Sequence, residues 1–184
     1  LSPPVVRRSI HNDTSLPLRE IKPLQAAAGA AREIPLFRLP KATAAQAGST
    51  PAPGRAPLVQ DWLGPASMPD PIANFEGVNN VNGVLPPDTN GDIGYDPATG
   101  TWYYMQWVNI SFQIWDVTDP ASPVSLFGPA DGNTLFTGFG GVCESTNDGD
   151  PIVLFDHLAN RWLASQFALP FFPFGPFYQC IAVS

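Results

Sequence analysis

Lysine occurs only twice in this chain of 184 residues, at Lys22 and Lys41, and cysteine only twice, at Cys143 and Cys180. Beyond residue 60 a single basic side chain, Arg161, stands against thirteen carboxylates. A surface so poor in cations cannot neutralise a row of phosphates, which excludes nucleic acid as a partner of residues 61–184. Histidine is equally scarce: His157 is the only one outside the first 60 residues. A Ser-His-Asp relay and a zinc centre therefore lack independent support, and no activated-serine or zinc-spacing motif appears. No apolar run approaches the roughly 20 residues that a spanning helix needs, so no membrane span is expected. The first residue is Leu1 rather than a methionine opening a secretory leader, which reads as either a processed or a trimmed chain.

What is present is unevenly distributed. Residues 1–60 carry eight basic and three acidic side chains, whereas the whole chain has a formal charge of −7. This asymmetry predicts a basic tail that docks on its own acidic body or on a neighbouring copy, giving a homo-oligomer or polymer; a merely solvated tail is the plainer alternative. Twelve of the 22 prolines precede residue 72, interleaved with Ala, Gly and Ser. Residues 1–68 thus read as an extended linker, with one weak helical stretch, Leu24 to Glu33, interrupted by Gly29. In an oxidising compartment Cys143 and Cys180 would pair; in a reducing one they would be two buried thiols. The turn-rich, lysine-poor composition favours the disulfide and an extracellular, secreted or cell-surface location.

From about residue 69 onward, short apolar runs alternate with Asp, Asn, Gly and Pro turns, the pattern of antiparallel strands. Strands are expected near residues 93–96, 102–109, 111–117, 124–128, 151–156, 161–169 and 177–184. In the run from Trp102 to Val108 both alternating faces are apolar, which requires a sheet covered on both sides. Two stretches echo each other: Gly91-Asp92, Tyr95-Asp96, Trp102 and Gln106 match Gly149-Asp150, Phe155-Asp156, Trp162 and Gln166 at a period near sixty. Such spacing predicts an all-β fold of β-propeller-like four-stranded antiparallel blades over residues 69–184, two similar hairpins in a sandwich being the alternative. Fewer than two blades fit, so the chain reads as a partial propeller, a fragment, or one whose missing strands come from other copies.

The loop Asp88-Thr89-Asn90-Gly91-Asp92, with Asp96 beyond it, spaces hard oxygen ligands as a calcium loop does. Asp88, Asn90, Asp92 and Asp96 are therefore candidate metal ligands, with Asp148 and Asp150 as a weaker second copy. The likeness to an EF-hand loop is partial, since Ile93 and Thr99 occupy the glycine and glutamate places. Turns in which Asp and Asn bond local amides are the competing explanation. Glu144, Asp148, Asp150 and Asp156, near His157, contain enough carboxylates for a glycosidase acid–base pair, although turn chemistry explains Asp156 and His157 more economically. No catalytic residue is assigned. The aromatic run from Pro170 to Tyr178 is either a sticky platform, for glycan or protein, or a loop folded over the body.

PPDTNGDIG (Pro86 to Gly94), QWVN (Gln106 to Asn109), GPADGNTLFTGFGGVCE (Gly128 to Glu144), NDGDPIVLFD (Asn147 to Asp156) and RWLASQFALP (Arg161 to Pro170) resemble large secreted bacterial β-propeller proteins with sialidase-like or BNR-like repeats. The resemblance implies a fold and a secreted location but no activity. It departs from true sialidases, which hold their substrate carboxylate with three arginines, because Arg161 stands alone. Together these features predict a non-enzymatic, calcium-stabilised extracellular assembly protein. A secreted carbohydrate-active enzyme or glycan-binding propeller is the alternative.

Overall fold

The structure, a computed structural model, describes residues 8–25 and 70–184. Most of the proline-rich tail and the remainder of the Leu24 to Glu33 stretch lie outside the described residues. Seven strands form two antiparallel sheets: β1 (Asn90–Asp96), β2 (Thr101–Val108), β3 (Ser111–Asp116) and β4 (Val124–Asp131) in one, β5 (Ile152–Asp156), β6 (Arg161–Ala168) and β7 (Tyr178–Val183) in the other. Each sheet is a simple meander in chain order. Among the described residues the two sheets close neither a barrel nor a propeller.

The expected strands are present with two extensions. β1 begins at Asn90 rather than near Ile93, so Asn90 and Asp92 belong to a strand. β4 continues past Gly128-Pro129 because a register shift opposite Phe112 and Ile114 absorbs the irregularity, and because an edge strand tolerates the N–H that proline lacks.

Hairpins β1–β2 and β5–β6 close in the same way. The Asp96 carboxylate accepts from Ala98 N and Thr99 Oγ1, and the Asp156 carboxylate accepts from Leu158 N and Ala159 N. Each loop ends on a left-handed residue, Gly100 at φ 73° or Asn160 at φ 51°. Trp102 N donates to Thr118 Oγ1 and its carbonyl accepts from Val117 N; Trp162 N donates to Ser184 Oγ and its carbonyl accepts from Ser184 N.

The main core lies between the sheets. Met105, Trp107, Phe112 and Ala130 of the first sheet meet Val153 and Ala164 of the second, with Ile114, Phe127 and Trp162 at the margin. A second cluster, Phe136, Ala168 and Cys180, is closed by the connection after β4, a 3-10 turn (Gly132–Phe136) followed by α1 (Gly141–Ser145). The disulfide Cys143–Cys180 ties α1 to β7, as the oxidising-compartment reading expects.

The opposite face of the first sheet is covered in part, over Tyr104, Trp115 and Gln106, which accounts for apolar residues on both faces of β2. Residues 73–78 run across it, with the Phe75 ring edge-on to Tyr104 and Trp115, and Val78 N donating to Gln106 Oε1 at 2.7 Å. A Cβ at Gly77 would overlap the Gln106 amide where it now accepts from Val78 N, so the glycine lets this bond form undisturbed.

Part of the N-terminal stretch lies against this body. Ile21 is buried and Leu18 packs on the main core. Asp131 N donates to Leu24 O at 2.8 Å, Leu24 N donates to Thr134 Oγ1, and the His11 ring meets Phe139 edge-on at 4.4 Å. These contacts are apolar or backbone in kind. Among the described residues Arg19 pairs only with its exposed neighbour Glu20.

Candidate functional site

Of the residues singled out as oxygen ligands, Asn90 and Asp92 lie where β1 meets β5, and their side-chain oxygens are already engaged. β5 pairs with β6 on one side; on the other, its outward N–H groups would be left bare at an edge. Side chains of β1 fill that role. Val153 N donates to Asn90 Oδ1 at 2.6 Å, and Phe155 N donates to Asp92 Oδ2 at 2.8 Å. The strand period of two aims Asn90 and Asp92 at the same neighbour. Gly94, next in that series, has no side chain because the Phe155 ring fills the space: a Cβ there would lie 2.5 Å from it.

Asp92 Oδ1 accepts from Ile93 N, Asp96 holds its own turn, and Asp148 Oδ2 accepts from Leu169 N at 2.7 Å. Asp88 and Asp150 differ. Both are exposed at left-handed backbone positions, with φ 41° and 49°. Asp88 is raised above the usual carboxylate range by partial burial first and by the negative charge of Asp150 second. Among the described residues no three His, Cys, Asp or Glu side chains gather as a metal-ligand group.

Of the glycosidase candidates, Glu144 and Asp156 are committed to local turns. Glu144 accepts from Gly138 N at 2.8 Å and Gly140 N at 2.7 Å, and these amides hold its carboxyl below its ordinary value. Asp156 is lowered chiefly by the Ala159 and Leu158 amides, with a smaller contribution from His157. His157 itself is exposed and packs edge-on against Phe155 at 5.0 Å.

A feature not read from the sequence is a polar centre buried between the sheets. Gln166 and Trp107 are fully buried, yet among the described residues both amide atoms of Gln166 and the indole Nε1 of Trp107 have no hydrogen-bond partner. Asn147 Oδ1 and Asn109 Oδ1 are likewise unpaired. Gly132 makes room for this cluster: a Cβ on it would overlap the Trp107 ring edge and stand 2.5 Å from Gln166 Oε1 and 3.0 Å from Asn147 Oδ1. The shared Trp-to-Gln spacing pointed to Gln166. Gly132 and Asn147, read from the sequence only as members of weaker Asp/Asn/Gly loops, meet it through tertiary packing.

The aromatic run forms an open cleft beside the second sheet, lined by Asp150, Phe167, Leu169, Phe172, Phe177, Tyr178 and Gln179. Phe171, Phe172, Phe174 and Phe177 are exposed, so the run is an exposed loop rather than a folded-over plug.

The second sheet has an apolar outer face. Cross-strand pairing aligns Ile152 with Ser165 and Ile181, and Leu154 with Leu163 and Val183. Ile152, Leu154, Ile181 and Val183 are 46%, 52%, 57% and 59% exposed. Four large aliphatic side chains, half in water on one face, exceed the scattered exposure usual on a solvated surface.

Comparison of the chain with protein-family models, curated proteins and solved structures finds no match.

Proposed function

We propose that this chain supplies consecutive β-propeller-type blades to an extracellular, non-enzymatic structural or assembly protein. One observation carries the reading: β5 lies along β1 in the same direction, Val153 on Asn90 and Phe155 on Asp92, and the far face of the second sheet remains apolar and exposed. A stack of this kind buries one face of each sheet against the next, as propeller blades do. The resemblance to secreted bacterial β-propeller proteins and the disulfide agree with it.

The N-terminal stretch serves as the assembly element. Its residues near Leu18, Ile21 and Leu24 use apolar and backbone contacts of a kind that fits a neighbouring copy equally well. Calcium, in this reading, stiffens the loop ends at Asp88 and Asp150, the two of the six candidate ligands whose carboxylates are not given to backbone amides. Removing residues 1–60 abolishes higher-order assembly in electron micrographs and sedimentation; a truncated protein that assembles unchanged refutes the role of the tail.

A second reading is favoured by the cleft that sets Asp150 beside Phe172 and Phe177, since aromatic rings with a nearby acceptor suit a sugar face. It predicts glycan binding that Phe172→Ala or Phe177→Ala removes. A broad glycan array without hits would reject it.

A further inference from the structure

We infer that the outer face of β5–β7 is a docking face for a further β-sheet of the same build, which enters with its tryptophan–glutamine face and is anchored at Asp150. The inference rests on the blade-stack reading above and identifies the occupant and its register.

The two faces of each sheet are not interchangeable. In the first sheet Tyr104 and Gln106, on the face that also bears the exposed Trp102, lie under residues 73–78. The matching face of the second sheet, Trp162, Ala164 and Gln166, lies under the first sheet. The other face of the first sheet, with Asn90, Asp92 and Gly94, receives β5. The hairpin register, which sets Asp92 opposite Met105 and Ile152 opposite Ser165, overrides the local Gly-Asp echo: the positions matching Asn90, Asp92 and Gly94 are Asp150, Ile152 and Leu154, with Ile152 and Leu154 on the exposed face and Asp150, itself exposed, just ahead of β5. The contact already present joins unlike faces, so its continuation calls for the tryptophan–glutamine face of a further sheet rather than a like-on-like pairing. A second copy of this chain is a poor occupant, because its second tryptophan–glutamine face lies under its own first sheet and residues 73–78 lie across Tyr104 and Gln106 of the other, leaving only the Trp102 end open.

The substitutions along β5 define what enters. Asn90 and Asp92 hold two backbone N–H groups of the strand above them. Asp150 retains an acceptor at the first place, and one carboxylate oxygen suffices, whereas Ile152 offers only apolar contact at the second. Gly94 admits the Phe155 ring, but Leu154 fills the equivalent space. The incoming first strand therefore makes one latch bond instead of two and carries a residue smaller than Phe where β5 carries Phe155.

The test begins in the full chain with Leu154→Lys combined with Ile181→Lys. The expected result is an unchanged melting temperature together with loss of most binding of an apolar fluorescent dye, since the face belongs to a partner and not to this chain's own core. A clear fall in melting temperature would mean that this chain's own residues cover the face, and would overturn the inference. So would a concentration-dependent dimer of the unmodified chain that the same substitutions dissolve. The second arm appends a copy of residues 119–184 after Ser184, with Phe155→Ala in the copy, so that Ser184 takes the place of Thr118. Hydrogen exchange at β5 and β7 of the original sheet should slow about tenfold or more, and Leu154→Lys in that sheet should reverse it. An appended segment that forms its own disulfide yet leaves exchange and dye binding unchanged refutes the register. Assembly that survives removal of residues 1–60 would sink the tail's role without touching this result.

Discussion

Replacing Asp92 separates two physical roles that its position allows. Its carboxylate accepts from Phe155 N at 2.8 Å and from Ile93 N at 2.8 Å, bridging the first strands of the two sheets. Asp92→Ala removes an ionised acceptor and leaves the Phe155 amide, at a partly buried sheet edge, with no replacement. Hydrogen bonds to charged groups contribute about 1.5–3 kcal/mol, so the variant should lose about 2 kcal/mol. With a urea m-value of about 1–3 kcal/mol/M, the midpoint falls by about 1 M. Asp92→Asn keeps an oxygen at the same place and should lose less than half as much. The assay is urea unfolding followed by tryptophan fluorescence, run in EDTA and again in millimolar calcium. If Asp92 acts as a latch, the deficit of Asp92→Ala is the same in both solutions. An Asp92→Ala protein as stable as the unmodified chain in EDTA, lacking only a calcium-dependent increment, would show a metal ligand and refute the latch.

Three further outcomes follow from the packing and the loops. Gly132→Ala forces a methyl group into the Trp107 ring edge and the Gln166 amide, and should cost about 1–3 kcal/mol, read as a lowered urea midpoint; a neutral substitution would mean that the sheets do not approach there. The Cys143–Cys180 disulfide spans 37 residues, which the loop-entropy model converts to about 4 kcal/mol. Cys143→Ala with Cys180→Ala should therefore unfold at much lower denaturant, and equal stability of the reduced and oxidised proteins would contradict the link. Backbone amides lower Glu144 from its ordinary value of 4.5, so its contribution is complete above that pH and is lost as the pH falls through the lower folded value. Acid unfolding curves should show a smaller loss below about pH 4.5 for Glu144→Gln than for the unmodified chain, and superimposable curves would exclude Glu144 as a contributor.

Strand positions were legible because period-two burial and Asp/Gly turns are local properties. The disulfide was legible as the expected outcome of one compartment. Less legible was the division of labour among the acidic residues. Asp88 to Asp92 has the spacing of a calcium loop, yet the same alternation, once Asn90 and Asp92 lie in a strand, aims both at one neighbouring strand edge. Spacing alone does not distinguish the two, because the deciding partner, the β5 backbone, lies 63 residues away. The short α1 helix escaped prediction for a related reason: at five residues, without a side-chain cap, it is held by the disulfide and by Phe136 and Phe139 rather than by its own propensity.

The same distinction explains why the two echoing hairpins diverge at their first strands. Tyr95-Asp96 and Phe155-Asp156, the tryptophans and the glutamines remain alike because each hairpin must close the same turn and present the same inner face. Asn90, Asp92 and Gly94 give way to Asp150, Ile152 and Leu154 because these positions face outward to the next layer, and each must match a different neighbour. Similarity within the pair thus reports what a sheet requires of itself, and difference reports what it requires of its partner. On that argument the identity of residues 150, 152 and 154 is the most specific information this chain carries about its surroundings.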